Sequence, residues 1–213
     1  MSRHIKSPTR TISNRGPLRR FIGYFPCRKN DAPWIAFDSI SSLSVAIYLE
    51  WIPEVVSVSF EHEKLVFGKV GESRTVIPDY TITLDSGEVR YIEAKSRRDM
   101  NQKETDDILL KEQIFSDAGK GYAVIYRREL ETNGCLETIF FLRRYSQLRF
   151  PAKAIDKALR SLVALEPLTL ARYRRVAQSA HIPFGLLYHI LYKKLIPLRF
   201  EPFTHEEMDL CPA

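Results

Sequence analysis

Apolar residues recur at helical spacing between residues 38 and 51, with Ile40, Leu43, Ile47 and Trp51 on one stripe. Pro53 closes that helix. Beyond it the period falls to two. Residues 55–60 and 64–67 are short β-branched and aromatic runs, expected to be strands. Residues 76–84 (VIPDYTITL) and 88–96 (EVRYIEAKS) alternate about Asp85-Ser86-Gly87, a turn signal, and so predict a hairpin. A polar connector over 97–105 leads to a helix over 105–117, stopped by Gly119 and Gly121. Residues 122–126 and 137–142 read as a further strand pair. The resulting order, α-β-β-β-α-β, predicts an α/β unit with a mixed central sheet.

The C-terminal third changes character. Residues 152–165 form an amphipathic pattern, Pro167 breaks it, and 170–180 with 184–194 form a second helical pair about a tight turn. The pair resembles a helix-turn-helix, with 195–200 as a wing strand, so a small helical, winged-helix-like domain is expected there. Arg174 and Arg175 then become candidate DNA contacts. His181 and His189 have no Cys or Asp at ligand spacing and read as packing or phosphate-contact residues.

Charge adds a ligand class to this outline only because of where it lies. Residues 1–33 carry a net charge of +7, residues 34–142 a net of −7, and residues 143–213 a net of +6. An acidic centre between basic flanks suits a protein that neutralises phosphates at its ends. Within the first flank, Arg15, Arg19 and Arg20 are candidate DNA contacts, in a Ser/Thr/Pro/Gly-rich arm expected to be extended or disordered. No apolar run reaches the length of a membrane span, and the first residues lack the apolar core of a secretory signal. Cys27, Cys135 and Cys211 are odd in number and lack CxxC spacing, as expected for reduced thiols in a cytoplasm.

The hairpin holds the candidate chemistry. With Leu84 opposite Glu88 across a three-residue loop, Asp79 falls opposite Glu93. Cross-strand neighbours stand roughly 4.5–5.5 Å apart at Cβ, close enough to share one divalent ion. Period two returns Lys95 to the face of Glu93. Two carboxylates and a lysine placed this way can hold Mg²⁺, with Mn²⁺ as a substitute, and stabilise charge at a phosphate. Arg97 and Arg98, just beyond Lys95, are placed to contact the scissile strand.

Pro78-Asp79 followed by Glu93-Ala94-Lys95 resembles the PD-(D/E)xK nuclease superfamily. The segment Tyr48-Leu49-Glu50-Trp51-Ile52-Pro53-Glu54-Val55-Val56 is similar to that of TnsA-type endonucleases, and the helix near 104–118 and Gly121-Tyr122-Ala123-Val124-Ile125-Tyr126 also fit that family. The resemblance spans about residues 35 to 130. It implies a restriction-endonuclease-like nuclease domain over 34–142, between a basic arm (1–33) and the helical domain (143–213). It further implies Asp79, Glu93 and Lys95 as catalytic residues, Asp79 and Glu93 as Mg²⁺ ligands, and cleavage of the 5′ strands at transposon ends in double-stranded DNA. A TnsB-like transposase and a TnsC-like AAA+ ATPase are the implied partners, in a bacterial cytoplasm. The chain departs from the family's pattern at Ser42, where the family carries a helix Glu, and at Glu61, where it often has Gln. Asp38, one helical turn before Ser42, is either a water-mediated metal ligand or the helix N-cap. A stand-alone restriction or repair nuclease and a catalytically weak DNA-binding scaffold are the alternative functions.

Overall fold

The computed structural model describes residues 4–6, 11–13, 21–30, 34–61, 63–68, 73–98, 101–162 and 167–202. Two strands near the N-terminus, β1 (His4–Lys6) and β2 (Thr11–Ser13), pair antiparallel. A second antiparallel pair follows, β3 (Gly23–Pro26) with β4 (Trp34–Phe37). The last part of the arm expected over 1–33 is a paired strand, Gly23–Pro26 finding its hydrogen-bonding partner in Trp34–Phe37. Arg15, Arg19 and Arg20 lie outside the described residues.

Helix α1 (Ile40–Trp51) starts on a reciprocal cap. Ser39 accepts from the Ser42 N–H at 3.0 Å and the Ser42 hydroxyl accepts from the Ser39 N–H at 3.0 Å. The N-cap is thus Ser39 and not Asp38. At the other end Ile52 turns extended, and Pro53 follows.

The central sheet comprises β5 (Val55–Phe60), β8 (Tyr80–Leu84), β9 (Val89–Lys95) and β10 (Gly121–Tyr126), in the order β10-β9-β8-β5. Strands β6 (Leu65–Phe67) and β7 (Arg74–Val76) pair separately, so the run expected as one strand over 76–84 is broken at Ile77-Pro78-Asp79. Proline has no N–H for a ladder, which accounts for the break. The hairpin register is the expected one, with Tyr80 opposite Ile92 and Thr83 opposite Val89. It closes through Leu84 N–H to Glu88 C=O at 2.8 Å, with Gly87 at φ 83°, a left-handed value that glycine adopts without strain.

Strand β9 continues through α2 (Gln102–Asp117), capped by Asn101 and Glu104, into β10, which lies parallel to β9. The helix begins three residues earlier than the periodicity suggested, because Asn101 supplies the cap. Alternation along the sheet sorts its two faces. Tyr80, opposite Ile92, sends its hydroxyl to the Ser42 carbonyl of α1 at 2.8 Å. Tyr91 packs on the other face with Phe115 of α2. Phe115 is fully buried, stacked on Tyr122 at 4.7 Å and set edge-on to Phe67 at 5.2 Å. Such ring pairs are each worth about 0.5–1.5 kcal/mol beyond area burial.

The chain divides into two compact units, residues 1–128 and 129–213. Helix α3 (Arg127–Thr132) spans the boundary; in the second unit α4 (Cys135–Arg143) follows, so the strand expected over 137–142 is a helix. Gly134 opens it and Leu136, Ile139 and Leu142 are buried at helical spacing, a stripe that a short apolar run does not distinguish from a strand. The remaining helices are α5 (Ala152–Leu162), α6 (Leu170–Ser179) and α7 (Phe184–Tyr192). Residues 195–200 form no wing strand; Leu198 makes an isolated parallel bridge to Leu168. A recognition helix needs a face open to a groove, whereas α7 is buried continuously from Leu186 to Leu191. Among the described residues, no helix is long and apolar enough to cross a membrane.

Candidate active site

Asp79 sits at the break before β8, where the chain is fixed by its own backbone: the Asp79 carbonyl accepts from the Glu61 N–H at 2.9 Å. Its side chain crosses to the neighbouring strand and accepts from the Ala94 N–H at 2.7 Å. That bond ties Asp79 to the residue between Glu93 and Lys95, which is the juxtaposition the hairpin register predicts. The strand pairing itself ends one residue short of Asp79, at Tyr80 and Ile92.

Glu93 is buried, and one oxygen, Oε1, takes two ammonium groups: Lys95 Nζ at 2.8 Å and Lys111 Nζ at 3.1 Å. Its second oxygen, Oε2, is buried without a hydrogen-bond partner. Native proteins rarely leave such an atom unsatisfied, and a divalent cation bound there would satisfy it. Lys111 also pairs with Asp107 at 3.1 Å, one turn earlier on α2. Burial alone would lower the Lys111 ammonium, but Glu93 and Asp107 outweigh it and hold it above its ordinary value.

A cavity of about 610 Å³ opens on these groups. Its wall includes Asp38, Asp79, Glu93, Lys95, Ser96 and Arg127. Asp79 as a residue is partly exposed there, but its carboxyl end is packed into protein. Burial, then the adjacent Glu93 carboxylate, raise it to about 7; the Ala94 N–H and Lys95 pull the other way, while Asp38 adds to the rise. Asp38 is therefore electrostatically part of the site, and its Oδ1 accepts from the Ser42 hydroxyl at 3.3 Å.

Ser42 is not part of the cavity wall. It is 1% exposed, beneath the helix start, where its hydroxyl serves the cap. The acid that reaches the cavity from this helix start is Asp38. The nominal gap at position 42 is thus a buried capping serine.

The other candidates are distributed unevenly. Arg97 and Arg98 are exposed just past Lys95, with the Arg98 guanidinium over the Tyr126 ring at 4.8 Å. Arg175 is exposed on α6. Arg174 is not available as a DNA contact: it is 8% exposed, donates to the Tyr188 hydroxyl at 2.7 Å, and stacks on Phe141 and Tyr188. Its flat guanidinium serves the aromatic core of the second unit. His189 likewise packs inside, with Nδ1 3.1 Å from the Tyr145 carbonyl.

Two site residues escaped the sequence reading. Lys111 had a legible signal, since it stands at helical spacing between buried Ile108 and Phe115 on the apolar stripe of α2. Arg127 had none, because its position follows from the parallel register that sets Tyr126 beside Lys95.

The donor set is of the kind Mg²⁺ uses, one or two carboxylates with the remaining positions left to water and substrate phosphate oxygens. Among the described residues no three His, Cys, Asp or Glu side chains group closely enough to hold an ion alone. Asp79 and Glu93, with its orphaned Oε2, fit such a partial cage. No protein-family model matches the chain, and no curated protein matches it at a significant level.

Proposed function

We propose that the chain is a Mg²⁺-dependent DNA endonuclease with a restriction-endonuclease-like core, acting as the TnsA-like subunit that cuts 5′ strands at transposon ends. The observation that carries the reading is the convergence of Asp79, Glu93 and Lys95 on one cavity through the β8–β9 register. The α-β-β-β-α-β order around a mixed four-stranded sheet supports it. The TnsA assignment, with TnsB-like and TnsC-like partners, rests on the sequence resemblance around residues 48–56 and 78–95.

Asp79 and Glu93 would hold the ion. When bound, it supplies Lewis-acid neutralisation of charge at the scissile phosphate. Lys95, on the cavity wall, is placed to orient the attacking water or to balance the charge that develops on phosphate oxygens. The Ala94 N–H fixes the Asp79 carboxylate, and Lys111 fixes Glu93, so neither acid must reorganise on substrate arrival. Asp38 adds negative potential at the rim.

The test is nicking of supercoiled plasmid with Mg²⁺ or Mn²⁺, followed by cleavage of transposon-end DNA with the cognate transposase. Asp79→Ala, Glu93→Ala and Lys95→Ala are each expected to reduce nicking by about 10²-fold or more while circular dichroism stays native. Wild-type rates in the Asp79 variant would sink the assignment.

A further inference from the structure

The two oxygens of Glu93 stand in different surroundings. Lys95 Nζ lies 2.8 Å and Lys111 Nζ 3.1 Å from the same atom, Oε1. A carboxylate oxygen offers about two lone-pair sites, so Oε1 is filled. Oε2 is buried and has no hydrogen-bond partner. The oxygen of Glu93 left for a divalent ion is therefore Oε2, beside two ammonium groups already in place.

Those two lysines are anchored unequally. Lys111 projects from α2, and its ammonium is shared with Asp107 at 3.1 Å, one turn earlier on the same helix. Its side chain is 18% exposed, and the residue is not part of the cavity wall. Lys95 stands two residues beyond Glu93 on the same face of β9 and lines the cavity, with its side chain 30% exposed. Among the described residues, Lys95 makes its ion pair with Glu93 alone. An ammonium held at that distance on a buried carboxylate is not free to serve a phosphate, which the proposed function asks of Lys95.

We infer that the two lysines divide the work at Glu93. Lys111, clamped by Asp107, is a permanent positioning residue that keeps Oε1 occupied and Oε2 presented. Lys95 is a stand-in cation, which holds Glu93 in the metal-free protein and turns to the substrate phosphate once a divalent ion is bound. The physical reason is repulsion: positive charge arriving at Oε2 disfavours both ammonium groups, and the one without a second acid gives way. Its flexible four-carbon stem lets it swing while the backbone of β9 stays in place. The inference rests on the metal-dependent nuclease reading and deepens it.

The experiment is a Mn²⁺ titration of the full-length protein without DNA, with free Mn²⁺ read by electron paramagnetic resonance. Lys95→Met is expected to tighten Mn²⁺ binding by about fivefold or more, because a competing unit charge is gone. Lys111→Met is expected to weaken it by about 10–100-fold, as loss of an outer partner of a metal ligand does, with Lys111→Arg restoring most of the affinity. Asp107→Asn, on a side chain 55% exposed where folding is not at stake, is expected to weaken binding in the same direction. Acetylation of lysines, read by mass spectrometry, should speed up at Lys95 when Mg²⁺ is added and stay unchanged at Lys111. Affinity shifts of the same sign in Lys95→Met and Lys111→Met overturn the division, even if wild-type protein nicks plasmid. Unaltered affinity in Asp107→Asn overturns the clamp. Shifts of opposite sign support the division even if no nicking is found and the nuclease reading fails, whereas Mn²⁺ binding by none of the proteins overturns both.

Discussion

At Asp79 the electrostatics of the site become a stability that depends on pH. An unfolded aspartate titrates near 4, whereas burial and Glu93 raise folded Asp79 to about 7. Between these values the folded chain binds more protons than the unfolded one. Its stability is therefore fully present below the lower value, falls as pH rises through the window, and levels off above it. Keeping Asp79 ionised in the folded chain costs up to about 4 kcal/mol. Asp79→Asn keeps an oxygen for the Ala94 N–H and removes the charge. In EDTA the variant is expected to melt above wild type at pH 8, with the gap closing toward pH 4. Added Mg²⁺ at pH 8 should raise the melting temperature of wild type and leave the variant unmoved. A gap that widens on acidification contradicts this account. The same residue shows what could be read without coordinates. Its partnership with Glu93 and Lys95 follows from a local hairpin with period two, while its raised pKa depends on how deeply the carboxyl end is packed, which no pattern along the chain displays.

The first turn of α1 separates two roles that the sequence left joined. Ser39 and Ser42 cap each other, and Asp38 stands outside the helix on the cavity wall. A glutamate at position 42 would place a carboxylate where a serine is 1% exposed and would break the reciprocal cap. Ser42→Glu is thus expected to destabilise the chain by on the order of 3 kcal/mol and to lower cleavage, rather than to restore a missing ligand. Asp38→Asn leaves the cap intact and should stay within about 0.5 kcal/mol of wild type, while slowing Mg²⁺-dependent nicking. Chemical melts of both variants beside plasmid nicking check the pair. A stable, faster Ser42→Glu variant would show that position 42 reaches the site after all. Elements made by neighbours in sequence, such as α1, β5, the hairpin and α2, were legible. Those set by distant partners were not: the apolar stripe of α4 spans barely two turns, too short to distinguish a helix from a strand. Lys111 is legible from its helical spacing with Ile108 and Phe115, whereas Arg127 is not, because parallel register brings it to the site.

Across the whole molecule, the charge division becomes a statement about where DNA affinity resides. Residues 1–20 hold six Lys/Arg and no acidic residue, whereas the acidic stretch contains the candidate chemistry. A truncation that tests this must respect the fold. Cutting at residue 33 would remove β3, the partner of β4, and with it Phe21 from the cavity wall. Among the described residues, cutting after residue 20 removes β1 and β2, which pair with each other. The shortened chain is expected to keep its central sheet and the Asp79–Glu93–Lys95 site, so its far-ultraviolet dichroism and its response to Mg²⁺ should match the full chain. Its DNA binding should weaken on every sequence, and the salt slope should flatten by about two or more, since each lost phosphate contact accounts for about 0.9. A slope that does not change when residues 1–20 are removed would mean that their arginines touch no phosphate, and the segment would then be a docking element for a partner protein.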